Sequence, residues 1–111
     1  MRIRRDKYFD DESDIDYELI ATISDALAHP VRLQLFRYIM QKNRSMETVC
    51  TKDLVEAFDY AQSTISQHMK KLVKSGLVEL KTVDRFHYYY ANIGVLMRYL
   101  NAAKKFSVFK N

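Results

Sequence analysis

A single cysteine, Cys50, is the only thiol in the chain, which excludes an intramolecular disulfide and fits a reducing compartment. No apolar run approaches the roughly twenty residues of a membrane span, and Met1-Arg2-Ile3-Arg4-Arg5 leads into acidic residues instead of the apolar core of a signal peptide. The expectation is a cytoplasmic protein. The raw material of an enzyme is equally scarce. There is no glycine-rich phosphate loop and no carboxylate pair beside a histidine, and His29, His68 and His87 fall in three different predicted elements. No catalytic residue, metal ligand set or cofactor is assigned.

What is present is enough for one domain. The 111 residues, 48% hydrophobic, support one modest core and leave no room for a second. Residues 1–12 read as a charged tail and residues 13–111 as the folded domain. Arg2, Arg4, Arg5 and Lys7 resemble a DNA-reaching arm, but Asp10-Asp11-Glu12 directly after them would repel phosphate, which favours a solvated tail. The net charge of +4 hides an asymmetry. Residues 1–60 hold nine Lys/Arg against twelve Asp/Glu, whereas residues 61–111 hold nine against two. A basic excess confined to the second half is what a phosphate-binding face would produce, although Lys104, Lys105 and Lys110 also suit ordinary solvation.

In chain order, Ser13 is the expected cap of a first helix, with Asp16 as its capping-box partner and Ile15, Leu19, Ile20, Ile23 and Leu27 as its apolar stripe. His29-Pro30 breaks that helix and opens a second, running to about Lys42, with His29 as a helix-entry residue. Val31, Leu35, Phe36, Ile39 and Met40 form its buried stripe, leaving Arg32, Gln34, Arg37 and Gln41 outside. A polar connection with a short edge strand at residues 48–50 precedes a third helix, for which Thr51 is the expected N-cap.

The stretch from Gln62 to Gly76 carries the strongest functional signal. At 3.6 residues per turn, Ile65, Met69, Leu72 and Val73 share one stripe, while Ser63, Ser66, Gln67, Lys70, Lys71 and Lys74 face away, with no carboxylate in the run. Amides and hydroxyls can read base edges in a major groove, and lysines neutralise the phosphates beside it. A cationic surface helix is also a common solvated face, so the neighbours decide. A short helical pattern over residues 51–58, a tight connection at Asp59-Tyr60-Ala61, this polar-faced helix and a following hairpin give the order of a winged helix-turn-helix. The hairpin pairs Leu77–Val83 with Phe86–Ala91 around Asp84-Arg85, placing Arg85 where it can enter a minor groove. Tyr88, Tyr89 and Tyr90 alternate faces on a strand, so part of that set belongs to the core and no base-stacking platform is expected. Asn92 caps a last helix with Ile93, Leu96, Met97, Leu100 and Ala103 on one stripe.

Ala26-Leu27-Ala28-His29-Pro30-Val31-Arg32-Leu33, Asp53-Leu54, Gln62 through Leu72 and Gly76-Leu77-Val78 together resemble the successive signatures of the ArsR-type winged-helix transcriptional regulators, over about Asp14 to Phe106. The resemblance implies a mainly α fold of about five helices plus a two-stranded wing, and a homodimeric repressor of double-stranded DNA whose outer helices form the seam. The DNA-binding set would be Gln62, Ser63, Thr64, Ser66, Gln67, His68, Lys70, Lys71, Lys74 and Arg85. The dimer set would be Ile15, Leu19, Ile23, Ile93, Leu96, Met97 and Leu100. His68, close to the apolar stripe, reads first as a packing and positioning residue and second as a phosphate contact. A winged-helix protein-interaction module acting through the same outer helices is the alternative.

Three departures from the family pattern stand out. Ala61 replaces the usual serine cap of the recognition helix, and Asp84 stands where the wing has glycine. Many ArsR-type regulators sense metals through paired cysteines before the recognition helix or through ligands on the last helix. Here the first site has one sulfur, and Ile93 to Phe106 has no His, Asp, Glu or Cys. The expectation is a regulator blind to zinc, cadmium and arsenite, with Cys50 a buried or bystander thiol and not a redox switch.

Overall fold

The computed structural model describes residues 15–109, so the charged segment 1–12 and the cap expected at Ser13 lie outside the described residues. Among the described residues, five helices and three strands follow in the order α1 (Tyr17–Leu27), α2 (Pro30–Arg44), β1 (Val49–Cys50), α3 (Thr51–Phe58), α4 (Gln62–Ser75), β2 (Val78–Val83), β3 (Phe86–Ala91) and α5 (Ile93–Phe106). The mainly helical winged fold is as expected, with one addition. The wing is the expected hairpin of β2 and β3, and β1, the short edge strand, pairs antiparallel with β3 to give the sheet order β1-β3-β2, with Val49 opposite Tyr89 and Cys50 opposite Tyr88.

Caps decide where the helices begin, and two of them differ from expectation. Asp16, not Ser13, caps α1, its carboxylate accepting the Leu19 N–H at 3.0 Å. An aspartate satisfies a free first-turn donor as well as a serine does. His29 opens α2 as expected, extended ahead of Pro30, with Nδ1 accepting the Val31 N–H at 3.1 Å. At α3 the N-cap is Cys50 instead of Thr51. The Asp53 carboxylate folds back to accept both the Cys50 N–H at 2.9 Å and its Sγ–H at 3.3 Å. Thr51, one residue inside, hydrogen-bonds through its hydroxyl to the Tyr89 hydroxyl at 3.0 Å and so ties α3 to the sheet. The second helix also runs two residues past Lys42, and Met46 turns the chain behind it at φ 63°.

The core gathers one stripe from each helix. Ile23, Leu35, Ile39, Leu54, Ile65, Leu72 and Leu77 are fully buried, each worth roughly 1.5–3 kcal/mol relative to exposure. Val49, Val78 and Tyr89 close the core from the sheet side. The first and last helices pack on each other, with Tyr17 and Phe106 edge-on at 6.5 Å and the Ser24 and Tyr99 hydroxyls 3.1 Å apart. Beyond that contact, Ile93, Met97 and Leu100 remain about half exposed along one side of α5, while Ile15, Leu19 and Leu96 are half-buried. Ile23 departs from the expected dimer set. It lies at 0% exposure inside its own chain, because its stripe turns inward toward the core, and it has no surface to offer a partner.

Candidate nucleic-acid interface

The recognition helix α4 is anchored from beneath by Ile65, Met69 and Leu72, which leaves Gln62, Ser63, Ser66, Gln67, Lys70, Lys71 and Lys74 exposed on its outer side. Thr64 and His68, also in the expected set, are only partly exposed. The start is weakly held. Ala61 occupies the cap position in extended backbone and offers no side-chain acceptor to the first-turn N–H groups. The other end is firmly closed. Gly76 adopts φ 91°, its N–H bonding the Val73 carbonyl at 3.1 Å, while the Ser75 hydroxyl donates to the Leu72 carbonyl at 2.7 Å and accepts from the Leu77 N–H at 3.2 Å.

The lysines converge on a groove between α4 and α1, lined by Gln67, Lys70, Lys71 and Lys74 on one side and by Thr22 and Asp25 on the other. Lys71 Nζ lies 3.7 Å from Asp25 Oδ2, and both side chains are more than half exposed. A pair so solvated contributes little and yields readily to a phosphate. Lys70 and Lys74 have no ion-pair partner among the described residues.

His68 is held by a contact that periodicity alone did not reveal. Its ring packs at 4.6 Å on that of His29, and Arg32 Nη1 lies 3.4 Å from its Nδ1. A guanidinium can only donate, so this contact is a hydrogen bond only with the neutral ring, Nδ1 accepting. Arg32, expected on the outside of α2, is therefore partly buried instead. Its Nε donates to the Ala26 carbonyl at 2.6 Å and its Nη2 to the Asp25 carbonyl at 3.1 Å, so one side chain joins the end of α1 to the recognition helix. Burial, then His29, then Arg32 lower the pKa of His68 below 6.5. The ring is thus packed between the start of α2 and the body of α4. The available sequence signal was His29 and Arg32 three residues apart across the entry to α2.

The wing contributes separately. Asp84 takes the left-handed conformation at φ 56°, so the turn forms without glycine, and Arg85 beside it is exposed. Val83 and Phe86 flank the tip at 55% and 56% exposure, whereas Tyr89 is buried and Tyr88 and Tyr90 are half-buried, as strand alternation requires. Lys81 Nζ sits 5.3 Å over the Tyr90 ring.

Comparison with known proteins agrees with this geometry. A helix-turn-helix domain family model matches residues 27–81, from the last residue of α1 to Lys81 in β2. The arsenical resistance operon repressor of Staphylococcus xylosus is 33% identical over 78 residues, 70% of each chain, and that of Staphylococcus aureus is 32% identical over 82 residues, 74% of each chain. The ArsR-like transcriptional regulator from Rhodococcus sp. RHA1 shares the fold with a TM-score of 0.70 at 20% identity, over 81% of this chain and 80% of that one. A helix-turn-helix with this anchored, carboxylate-free α4, in a chain so related, belongs to the ArsR-type family of DNA-binding transcriptional regulators.

Proposed function

We propose that this chain is a homodimeric repressor that binds a two-fold symmetric operator, with α4 of each copy in the major groove and Arg85 at the minor groove. The observation that carries the reading is the outer face of α4. It presents Gln67 with serine hydroxyls near its start and Lys70, Lys71 and Lys74 toward its end, on a helix fixed to the core by Ile65, Met69 and Leu72. Gln67 and the hydroxyls read base edges, and the lysines hold phosphates. The half-exposed stripe of Ile93, Met97 and Leu100 supports pairing of two copies through α5, which would set two recognition helices about one DNA turn apart. Such a regulator works beside the chromosome, in the cytoplasm. Binding to a two-half-site duplex should weaken steeply as salt rises, because phosphate contacts release counterions. Salt-insensitive association would favour a protein-interaction module.

The same reading leaves metal sensing out. The Cys50 thiol is engaged with Asp53, and among the described residues no group of three His, Cys, Asp or Glu side chains is placed to hold an ion. DNA-binding isotherms with and without excess zinc, cadmium or arsenite should superimpose. A tenfold loss of affinity that Cys50→Ser abolishes would make the cysteine a sensor.

A further inference from the structure

Arg37 and Arg44 stand about two turns apart on α2, on either side of Met40 and Gln41. With Ala91 and Ile93 they line an open groove of about 570 Å³ between α2, the end of β3 and the start of α5. That volume lies within the range of small-molecule sites. Met40, Ala91 and Ile93 make its surface largely apolar, and the charged groups on it are both guanidiniums. Neither guanidinium has a hydrogen-bond or ion-pair partner among the described residues, and no carboxylate lines the groove. Nearby cations on the same helix are engaged: Lys42 pairs with Glu47 at 3.7 Å, and Arg32 spans three acceptors. The walls are also fixed. Asn43 Oδ1 accepts the Ala91 N–H at 2.8 Å and its Nδ2 donates to the Glu47 carbonyl at 3.2 Å, which pins the end of β3 against α2.

We infer that this groove binds a small organic acid with an apolar body, an aryl or medium-chain acyl carboxylate. The acid group meets the guanidiniums and the body lies along Met40, Ala91 and Ile93. Arg44 sits in the last turn of α2, where the carbonyl end of the helix offsets part of its charge, so Arg37 is the stronger anchor. Of the lining residues only Ile93 also belongs to the proposed α5 seam, and a second copy covering the rest would have to bury two unpaired cations against a chain of net charge +4. The inference concerns binding alone and does not rest on the reading of α4.

The test is a fluorescence titration of the full chain, without DNA, using anilinonaphthalene sulfonate, an aryl acid of the same layout. Saturable binding of one probe per chain is expected, displaced by decanoate but not by decanol. Arg37→Gln should weaken it about tenfold, the scale of one charge-assisted hydrogen bond, and Arg37→Lys should restore most of it. Should Arg37→Gln lose its helical circular dichroism, Arg44→Gln carries the same comparison at a smaller loss. Absence of saturable binding, equal displacement by decanol, or indifference to the arginine substitutions would overturn the inference. So would binding that emerges only on dilution to monomer, which would show that a second copy fills the groove.

Discussion

Arg32 Nη1 lies 3.4 Å from His68 Nδ1, so a residue in the first turn of α2 sets the ring of a residue in the middle of the recognition helix. Because the same guanidinium also holds the carbonyls of Asp25 and Ala26, the tilt of α4 is referred to the corner between α1 and α2.

This arrangement makes stability depend on pH. The unfolded chain protonates His68 near pH 6.5, while burial, His29 and Arg32 hold the folded chain's value lower. Between those two values the unfolded state binds more protons, so stability falls as pH falls. Above about 6.5 the contribution of the neutral ring is complete. Thermal melts at about pH 7.5 and 5.5 should show the loss. His68→Asn, which keeps an acceptor near the Nδ1 position, should remove that part of the slope, and an unchanged slope in the variant would refute the assignment.

Gln67 and Lys71 should fail in different ways. Gln67→Ala is expected to relax sequence preference by about 1–3 kcal/mol, whereas Lys71→Ala should weaken all sequences alike and flatten the salt slope by about one. The exposed Asp25 partner of Lys71 offers little competition, so Asp25→Asn should leave affinity unchanged or slightly higher. Titrations of specific and scrambled duplexes across a salt series separate these outcomes. Equal losses on both duplexes for Gln67→Ala would remove its base-reading role.

Leu100 is 47% exposed on the uncovered side of α5. Leu100→Glu should put a charge into the proposed seam and abolish tight binding to a two-half-site duplex, while the monomer fold survives. Sedimentation velocity of the variant reads this directly. An intact dimer would rule out this seam.

At the start of the recognition helix, Ala61→Ser should supply the missing acceptor. A gain of about 1 kcal/mol in denaturant unfolding is expected. No gain would mean that the extended backbone at this position cannot aim a serine hydroxyl at the first turn.

Much of the fold was legible because its signals are local. The period of Ile65, Met69 and Leu72 marked the buried side of α4, Gly76 marked its end, and strand alternation showed that Tyr88, Tyr89 and Tyr90 could not all face one way, though not that Tyr89 is the one inside. The misplacements share one cause, which is that one-dimensional spacing does not say which neighbour covers a residue. Ile23 belongs to a genuine apolar stripe, but that stripe serves the core as well as α5. Arg32 occupies a polar position of α2 in isolation, yet the turn at His29-Pro30 brings it over α1 and under His68. Thr51 is a fitting cap by type, but Asp53 reaches back to Cys50 first and leaves the threonine hydroxyl to Tyr89. The Arg37–Arg44 groove gave no sequence signal, since one wall comes from α2 and the other from Ala91 and Ile93, nearly fifty residues further along the chain.

The sheet order β1-β3-β2 has a consequence for solubility. With β3 in the middle, the six-residue strand β2 has a neighbour on one side only among the described residues, so its outer backbone donors and acceptors are open to any other extended chain. Two features guard that edge. The strand is short, and Glu79 and Lys81 alternate with Val78, Leu80 and Thr82 along it, so a like strand docking there would have to bury charge at every second position. A wing carrying exposed Val83 and Phe86 at its tip can thus project from the body of the protein without becoming a seed for aggregation.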